Sequence, residues 1–400
     1  MHLSYFDYNA TTPVDADVLT AMLPYFSAQY GNPNSVHSFG QSARGAVERA
    51  RVAVAALIGA RPSEIVFTSG GTEADNLAIF GAVGGVLAGH FTEPAGRRAR
   101  HIVTTTIEHH AVLHSCQALE RRGFAVTRVP VGRDGVVDPD NIRRALRPET
   151  VLVTVMHSNN ELGTLQPVGE IGGVAAEAGV CFHSDAVQSA GKVALDVARM
   201  GVDLMSLSAH KFYGPKGIGA LFVRKGVQLE PLLYGSRGEG GRRAGTENVS
   251  GIVGMGKAAE LALTHLDEQS ARVAALRDHL EQGLLASISG ARVSGAAAGR
   301  LPNTCNIMFP EVESESLVIA LDLRGVACSA GAACLSGAVD PSHVLAAIGL
   351  SPADARGCIR LSLGRPTTDQ DVALALDAIP EAVARQRELS PTLREAVGHA

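Results

Sequence analysis

The sequence predicts an α/β fold built on a mainly parallel sheet with helices on both faces. Three observations carry that expectation. Short β-rich runs recur along the first 225 residues, and helical patterns lie between several of them. One run, Ile65 to Thr68, passes straight into Ser69-Gly70-Gly71-Thr72-Glu73 and then a helical pattern from Ala74, a strand–turn–helix unit. The chain is 400 residues long and 46% hydrophobic, enough apolar material for a large core.

Taken in order, residues 41–59 have the periodicity of an amphipathic helix ending at Gly59. The following β-rich runs are HIVTTT at 101–106, VLVTVMHS at 151–158, VCFHSD at 180–185, DLMSLSAHK at 203–211 and IGALFVR at 218–224. Helical patterns fill 110–122 and 168–178. The glycines and GRRAR of 81–100 read as a helix end and a surface loop. From 251 to 288 the pattern is that of one long helix, a spine between two lobes. Beyond it the elements are smaller and mixed: CNIMF at 305–309, helical SESLVIALDL at 314–323, a Gly/Ala/Cys loop at 328–337, SHVLAAIG, CIRLSLG and a final helix. The polar tail from Arg385 is expected to fray.

Composition excludes several classes of function. A formal net charge of −5 and an aromatic content of 4% with no Trp argue against a nucleic-acid platform or an anionic-membrane binder. No secretory leader is visible in MHLSYFDYNATTP, and no apolar run reaches the roughly 18 residues that span a bilayer. A cytoplasmic setting is therefore expected, with the six cysteines mostly free. None forms a CxxC pair, and no HExxH spacing links the histidines, so no metal site is expected.

The chemistry-bearing residues cluster where β-rich runs end. Lys211 follows an apolar run and precedes a Gly/Pro turn, where parallel sheets place ligand sites. Lone lysines are mostly solvated, but one at a sheet edge among Ser208, His210 and Gly214 has the setting of a Schiff-base nucleophile. Asp185 ends another run. Besides a capping role it has the chemistry to face a cofactor ring nitrogen, and Gln188 lies three residues on. A lysine and an acid so placed are what pyridoxal phosphate requires. The Gly71-Thr72 turn offers backbone N–H groups at a helix start for a phosphate, with Ser208 and His210 as further donors. His109 is either structural or an imidazole stacked on the cofactor ring, and Asn160 either a turn residue or a cofactor contact. In CIRLSLGR, alternation puts Arg360 and Ser362 on one strand face, where the arginine is either a surface ion-pair partner or a carboxylate binder. Cys334 lies in a small-residue segment that suits an accessible thiol.

FDYNATTPVD, FTSGGTEADNLAI, EHHAVL, HSNNELGT, HSDAVQSAGK, SAHKFYGPKGIGALFVR, AGTENVSGIVG, AGAACLSG and IRLSLGR together resemble the cysteine desulfurases of the nitrogen-fixation and housekeeping iron–sulfur type, in order from about residue 5 to 390. The resemblance implies a class V, fold-type I pyridoxal phosphate enzyme, with a seven-stranded, mainly parallel sheet in a large domain of residues 16–260. Residues 1–15 and 261–400 would form a smaller α+β domain carrying the cysteine loop. It implies pyridoxal 5'-phosphate bound by Lys211 and held by Gly71, Thr72, Ser208 and His210 at the phosphate. Asp185 would meet the ring nitrogen, His109 the ring face, and Asn160 and Gln188 the ring hydroxyl. Thr246 would reach the cofactor phosphate of the other subunit of a homodimer. Arg360, or else Arg365, would bind the substrate carboxylate. Cys334 would take the sulfur of L-cysteine as a persulfide and pass it to an acceptor protein, with Lys211 or His109 moving the α-proton.

Two segments depart from the family pattern. The stretch before AGT reads Tyr234-Gly235-Ser236-Arg237-Gly238-Glu239-Gly240-Gly241, and Cys328 stands where relatives more often carry an apolar residue. Cys328 follows the strand-like Gly325-Val326-Ala327 and is expected to be buried. Competing readings are a selenocysteine lyase, another class V lyase or aminotransferase, and an inactive binding homologue. Cys334 on its loop argues against aminotransfer, and Lys211, Asp185 and Cys334 together argue against inactivity.

Overall fold

A computed structural model describes residues 3–87, 100–236, 238–295, 299–330 and 342–389. The first strand, β1 (Ser4–Tyr5), belongs with the C-terminal part of the chain. The next seven strands are β2 (Ile65–Thr68), β3 (His101–Thr105), β4 (Ala125–Val129), β5 (Thr150–Thr154), β6 (Cys181–Asp185), β7 (Leu204–Ser208) and β8 (Gly219–Val223). They form one sheet in the order β2-β8-β7-β6-β5-β3-β4. All pairings are parallel except those of β8, which is antiparallel to both of its neighbours. Two reversals leave β2 pointing with the parallel set, so Thr68, Thr105, Thr154, Asp185 and Ser208 all end at one edge. Strands β2, β3, β5, β7 and β8 are buried along their whole length, as a sheet covered on both faces demands.

The helices Gly71–Leu87, His110–Glu120 and Val168–Ala178 follow the expected patterns, the first starting three residues earlier than its periodicity suggested. The expected runs at 151–158 and 203–211 overshoot the strands, which stop at Thr154 and Ser208. The extra residues form the edge loops and, at Ala209–Lys211, a single 3₁₀ turn. Strand β4 has no counterpart in the sequence reading. It is an edge strand with Ala125 and Arg128 exposed, so its hydrophobic signal is weak.

The long helix expected over 251–288 is two helices, Val249–Thr264 and Leu266–Ser287, broken at His265 (φ −109°, ψ 10°). Each half follows a different core. The first lies against the helix Ser38–Leu57, closely enough that a Cβ on Gly256 would fall 2.5 Å from Ala50 Cα. The second packs with the C-terminal helix Asp369–Leu389.

That second core surrounds β9 (Arg292–Val293), β10 (Thr304–Met308), β12 (Ser329–Ala330) and β13 (Cys358–Ser362), an antiparallel sheet in the order β12-β13-β10-β9. Strand β11 (Val326–Ala327) pairs instead with β1, in parallel, and Asp7 bridges to Ser362. The N-terminal strand therefore joins the smaller lobe, and the residues just after it reach the main sheet's edge. Cys328, between β11 and β12, is partly rather than fully buried. Cys334, the rest of the expected 328–337 loop beyond Ala330, residues 88–99 of the expected helix end and surface loop at 81–100, and the tail beyond Leu389 lie outside the described residues. The helix itself runs past Arg385 to Leu389, so the expected fraying does not start there.

Candidate active site

The common edge of the sheet borders a cavity of about 370 Å³, within the size range of cofactor and substrate pockets. The loops after β2, β3, β5, β6 and β7 each supply side chains to it, and β13 adds Arg360 from the smaller lobe.

At one end lie Gly71 and Thr72, opening the helix Gly71–Leu87, with Ser208 and His210 opposite. First-turn N–H groups have no intrahelical partners, so an anion is favoured there. Glycine is required at 71: a Cβ would lie 2.8 Å from Val187 Cγ2 and 3.4 Å from Ser208 Cβ. Glu73 accepts from the Ser69 N–H at 2.8 Å and pairs with Arg243 at 2.9 Å, bracing the turn. His210 contacts Thr11 Oγ1 at 3.1 Å, and burial and Lys211 lower its pKa to about 4.

Lys211 donates to the carbonyl oxygens of Asn9 (2.6 Å) and Ala10 (2.8 Å). Burial, reinforced by the Arg360 cation, lowers its pKa to about 8. Asp185 accepts from the Val187 N–H at 2.9 Å, which orients one carboxylate oxygen. Burial pushes its pKa up to about 6, against the pull of that N–H and of Lys211. A cation placed against this carboxylate would restore its ionised form. Asp75 shares the cavity wall, and its Oδ1 is buried with no hydrogen-bond partner. Desolvation, then the charge of Asp185, raise its pKa well above the carboxylate range.

His109 caps the helix His110–Glu120, with Nδ1 accepting from the Ala111 N–H at 3.1 Å. That bond leaves the ring proton of neutral His109 on Nε2. Burial, the Lys211 charge and the neighbouring histidines 110, 343 and 114 lower its pKa to about 4. Gln188 and Asn160 both line the cavity and meet through Asn9: Gln188 Nε2 donates to the Asn9 carbonyl at 2.9 Å, and Asn9 Nδ2 donates to the Asn160 carbonyl at 3.1 Å.

The two candidate arginines separate. Arg360 faces the cavity, held by Asp7 at 2.7 Å and the Asn160 carbonyl at 3.1 Å, while its Nε is buried without a partner. Arg365 turns away, pairing with Asp15 at 2.8 Å with its guanidinium 3.9 Å from the Tyr213 ring centre. Thr246 is not in this cavity. It lines a separate cleft of about 240 Å³ with Ser69, Gly217 and Arg243. In the altered 234–241 stretch, Glu239 takes a left-handed φ of 49°, pairs with Arg51 at 2.7 Å and accepts from the Phe67 N–H at 2.9 Å, anchoring the segment beside β2. Asn9 and Asp75 are site residues that the sequence reading did not single out, although both lie inside motifs it quoted.

The cavity fits pyridoxal phosphate. It has an anion cradle at one end, an amine in reach, an acid whose burial disfavours its charge until a cation meets it, and two orphaned buried polar atoms on its walls.

Known proteins resemble the chain over nearly its whole length. The class-V aminotransferase family matches residues 4–374. The cysteine desulfurase IscS of Dictyoglomus turgidum is 46% identical over 98% of this chain and 97% of its own. That of Methanosarcina thermophila is 47% identical over 97% and 93%. Among solved structures, a NifS-like protein superposes with a TM-score of 0.87 at 38% identity, covering 96% of this chain and all of its own. A structure described as SspA in complex with cysteine gives 0.79 at 38% identity over 91% of this chain and all of its own. The chain belongs to the class-V aminotransferase family, among its pyridoxal-phosphate-dependent cysteine desulfurases.

Proposed function

We propose that the chain converts L-cysteine to L-alanine, takes the sulfur onto Cys334 as a persulfide, and passes it to an acceptor protein for cluster assembly or another sulfur-containing product. The observation that carries this is the convergence of Lys211, Asp185, His109 and the Gly71–Thr72 cradle on one cavity that also receives Arg360. Bound there, pyridoxal 5'-phosphate supplies an electron sink for a carbanion at the substrate α-carbon.

Lys211 is the attachment point. With its pKa near 8 it is the group suited to accept the α-proton once displaced. His109 is a poorer acceptor, because its Nδ1 is engaged and its Nε2 already carries the proton. His109, at the ring face, is the alternative group for moving the α-proton. Arg360 binds the substrate carboxylate, its guanidinium aimed by Asp7 and the Asn160 carbonyl. The Cys334 thiolate attacks the substrate sulfur. The carbon–sulfur bond breaks with its electron pair going to carbon, carbon is protonated to alanine, and the sulfur stays on Cys334.

The same reading divides the chain into a large domain, 16–260, and a small domain of 1–15 with 261–400. A homodimer completes it. Leu19, Leu23, Phe26, Tyr30 and Phe39 expose large apolar surfaces, and Asn34, in the same region, bonds Glu247 at 3.0 Å, next to Thr246. Thr246 then contributes to the cofactor phosphate of the second copy. Among the described residues no helix is long and apolar enough to cross a membrane; the proposed setting is the cytoplasm.

The test is the visible spectrum of the purified protein, followed by L-cysteine and a reductant. Yellow protein releasing alanine and sulfide in equal amounts is expected. Alanine without sulfide, or activity only with selenocysteine, would overturn the assignment.

A further inference from the structure

The mechanism above makes no use of a second lysine beside the site. Lys192 lies four residues after Gln188, partly buried in a cleft of about 40 Å³ that Tyr213 and Arg365 also line. Its Nζ is 3.0 Å from Gln188 Oε1 and 3.2 Å from Asn9 Oδ1. We propose that Lys192 is a positioning residue that holds the Gln188 amide with an N–H, not its oxygen, toward the cofactor ring. The inference rests on the reading that Gln188 meets that ring.

A chain of one-way hydrogen bonds carries it. The Asn160 carbonyl can only accept, so the Asn9 amide atom 3.1 Å away is Nδ2. The same Nδ2 donates to Thr304 Oγ1 at 2.9 Å. Asn9 Oδ1 therefore faces the other way, where Lys192 and Asn303 Nδ2 (3.0 Å) donate to it. The Asn9 main-chain oxygen also can only accept, so the Gln188 atom 2.9 Å from it is Nε2. Gln188 Oε1 is thereby turned to Lys192, which satisfies it. One amide N–H of Gln188 is spent on Asn9, and the other remains for the cavity that Gln188 lines.

Without Lys192, Gln188 Oε1 would be a nearly buried acceptor with no donor, and the amide would gain by rotating it elsewhere. The charged groups facing Lys192 are Lys211 and Arg360, with Arg365 in its cleft. Burial and the first two lower its pKa well below the usual lysine value. Its N–H groups meet two acceptors here, Gln188 Oε1 and Asn9 Oδ1.

An N–H at the ring oxygen stabilises negative charge there. It therefore loosens the proton shared between that oxygen and the Lys211 nitrogen. Loss of the N–H raises the pH midpoint of the visible absorption band of the bound cofactor. The experiment titrates that band in holoenzyme carrying Lys192→Met, Lys192→Arg, Gln188→Leu and the Lys192→Met/Gln188→Leu pair. Lys192→Met is expected to raise the midpoint by roughly one pH unit, the size of one lost hydrogen bond to a charged group. Lys192→Arg keeps donors and should restore most of it. The double variant should match Gln188→Leu alone, because Lys192 acts through Gln188. If Lys192→Met does not fold, Lys192→Gln replaces it with an expected intermediate shift. An unmoved midpoint in the Lys192 variants, with Gln188→Leu shifted, overturns the proposal. So do shifts that add in the double variant, which would mean that Lys192 acts directly on the cofactor. If Gln188→Leu itself moves nothing, it is the placement of Gln188 against the ring that fails.

Discussion

Asp185→Asn should act in opposite directions on the cofactor-free and cofactor-bound protein. In the free protein Asp185 is buried, and its pKa rises from 3.8 to about 6, with desolvation the largest cause. The folded state thus binds more protons than the unfolded state between these values, so stability falls as pH rises through the window. A displacement of that size corresponds to on the order of 3 kcal/mol of destabilisation by the carboxylate at neutral pH. Asparagine keeps the shape and stays neutral. The cofactor-free variant should therefore melt higher than its parent at pH 7, with the difference vanishing near pH 4. With cofactor, the variant lacks the negative charge that meets the ring nitrogen. Cofactor should bind more weakly, and kcat should fall far more than the apparent cysteine affinity, because the interaction strengthens as carbanion character develops. Thermal melts of the cofactor-free proteins across pH 4 to 8, cofactor titration and steady-state kinetics measure all three. A variant less stable than its parent at pH 7, or one with unchanged kcat, would refute the reasoning.

Three further outcomes are expected. Lys211→Ala should lose the yellow colour and all turnover while circular dichroism stays that of the parent; normal turnover would place the attachment at another lysine such as Lys216. Arg360→Lys should raise the KM for cysteine because the planar fork is lost, whereas Arg365→Lys should mainly lower the melting temperature, since Arg365 serves Asp15 and Tyr213; the reverse pattern would exchange their roles. Cys334→Ser should stay yellow and bind cysteine but release almost no sulfur, while Cys328→Ser should keep turnover, with a loss on the order of 1–3 kcal/mol in stability if its hydroxyl is unpartnered. Burial pushes the Cys328 thiol up to about 12, so it is a poor nucleophile at neutral pH. Peptide mass spectrometry after brief exposure to cysteine checks the pair, and extra sulfur on Cys328 alone would reverse it.

The sheet-edge half of the site is legible in local patterns. Asp185, Ser208 and Lys211 close apolar runs, and a mainly parallel sheet carries the ends of such runs to one edge whatever the details of packing. Gly71 and Thr72 were legible for the same reason, since a strand–glycine–helix unit is local. What depended on long-range pairing had no local signature. Arg360 and Arg365 share one motif, and only Asp7, 353 residues from Arg360 along the chain, and Asp15 decide which faces the cavity. Asn9 carries no local signal of its own, yet its groups bond Ser362, Asn303, Thr304, Gln188 and both lysines. The break at His265 follows the same logic: periodicity runs through it, while the two halves pack on different partners, Ser38–Leu57 and Asp369–Leu389. Periodicity and turn chemistry are properties of neighbouring residues, whereas the partner of a buried charge is chosen by the packing of segments that meet only in three dimensions.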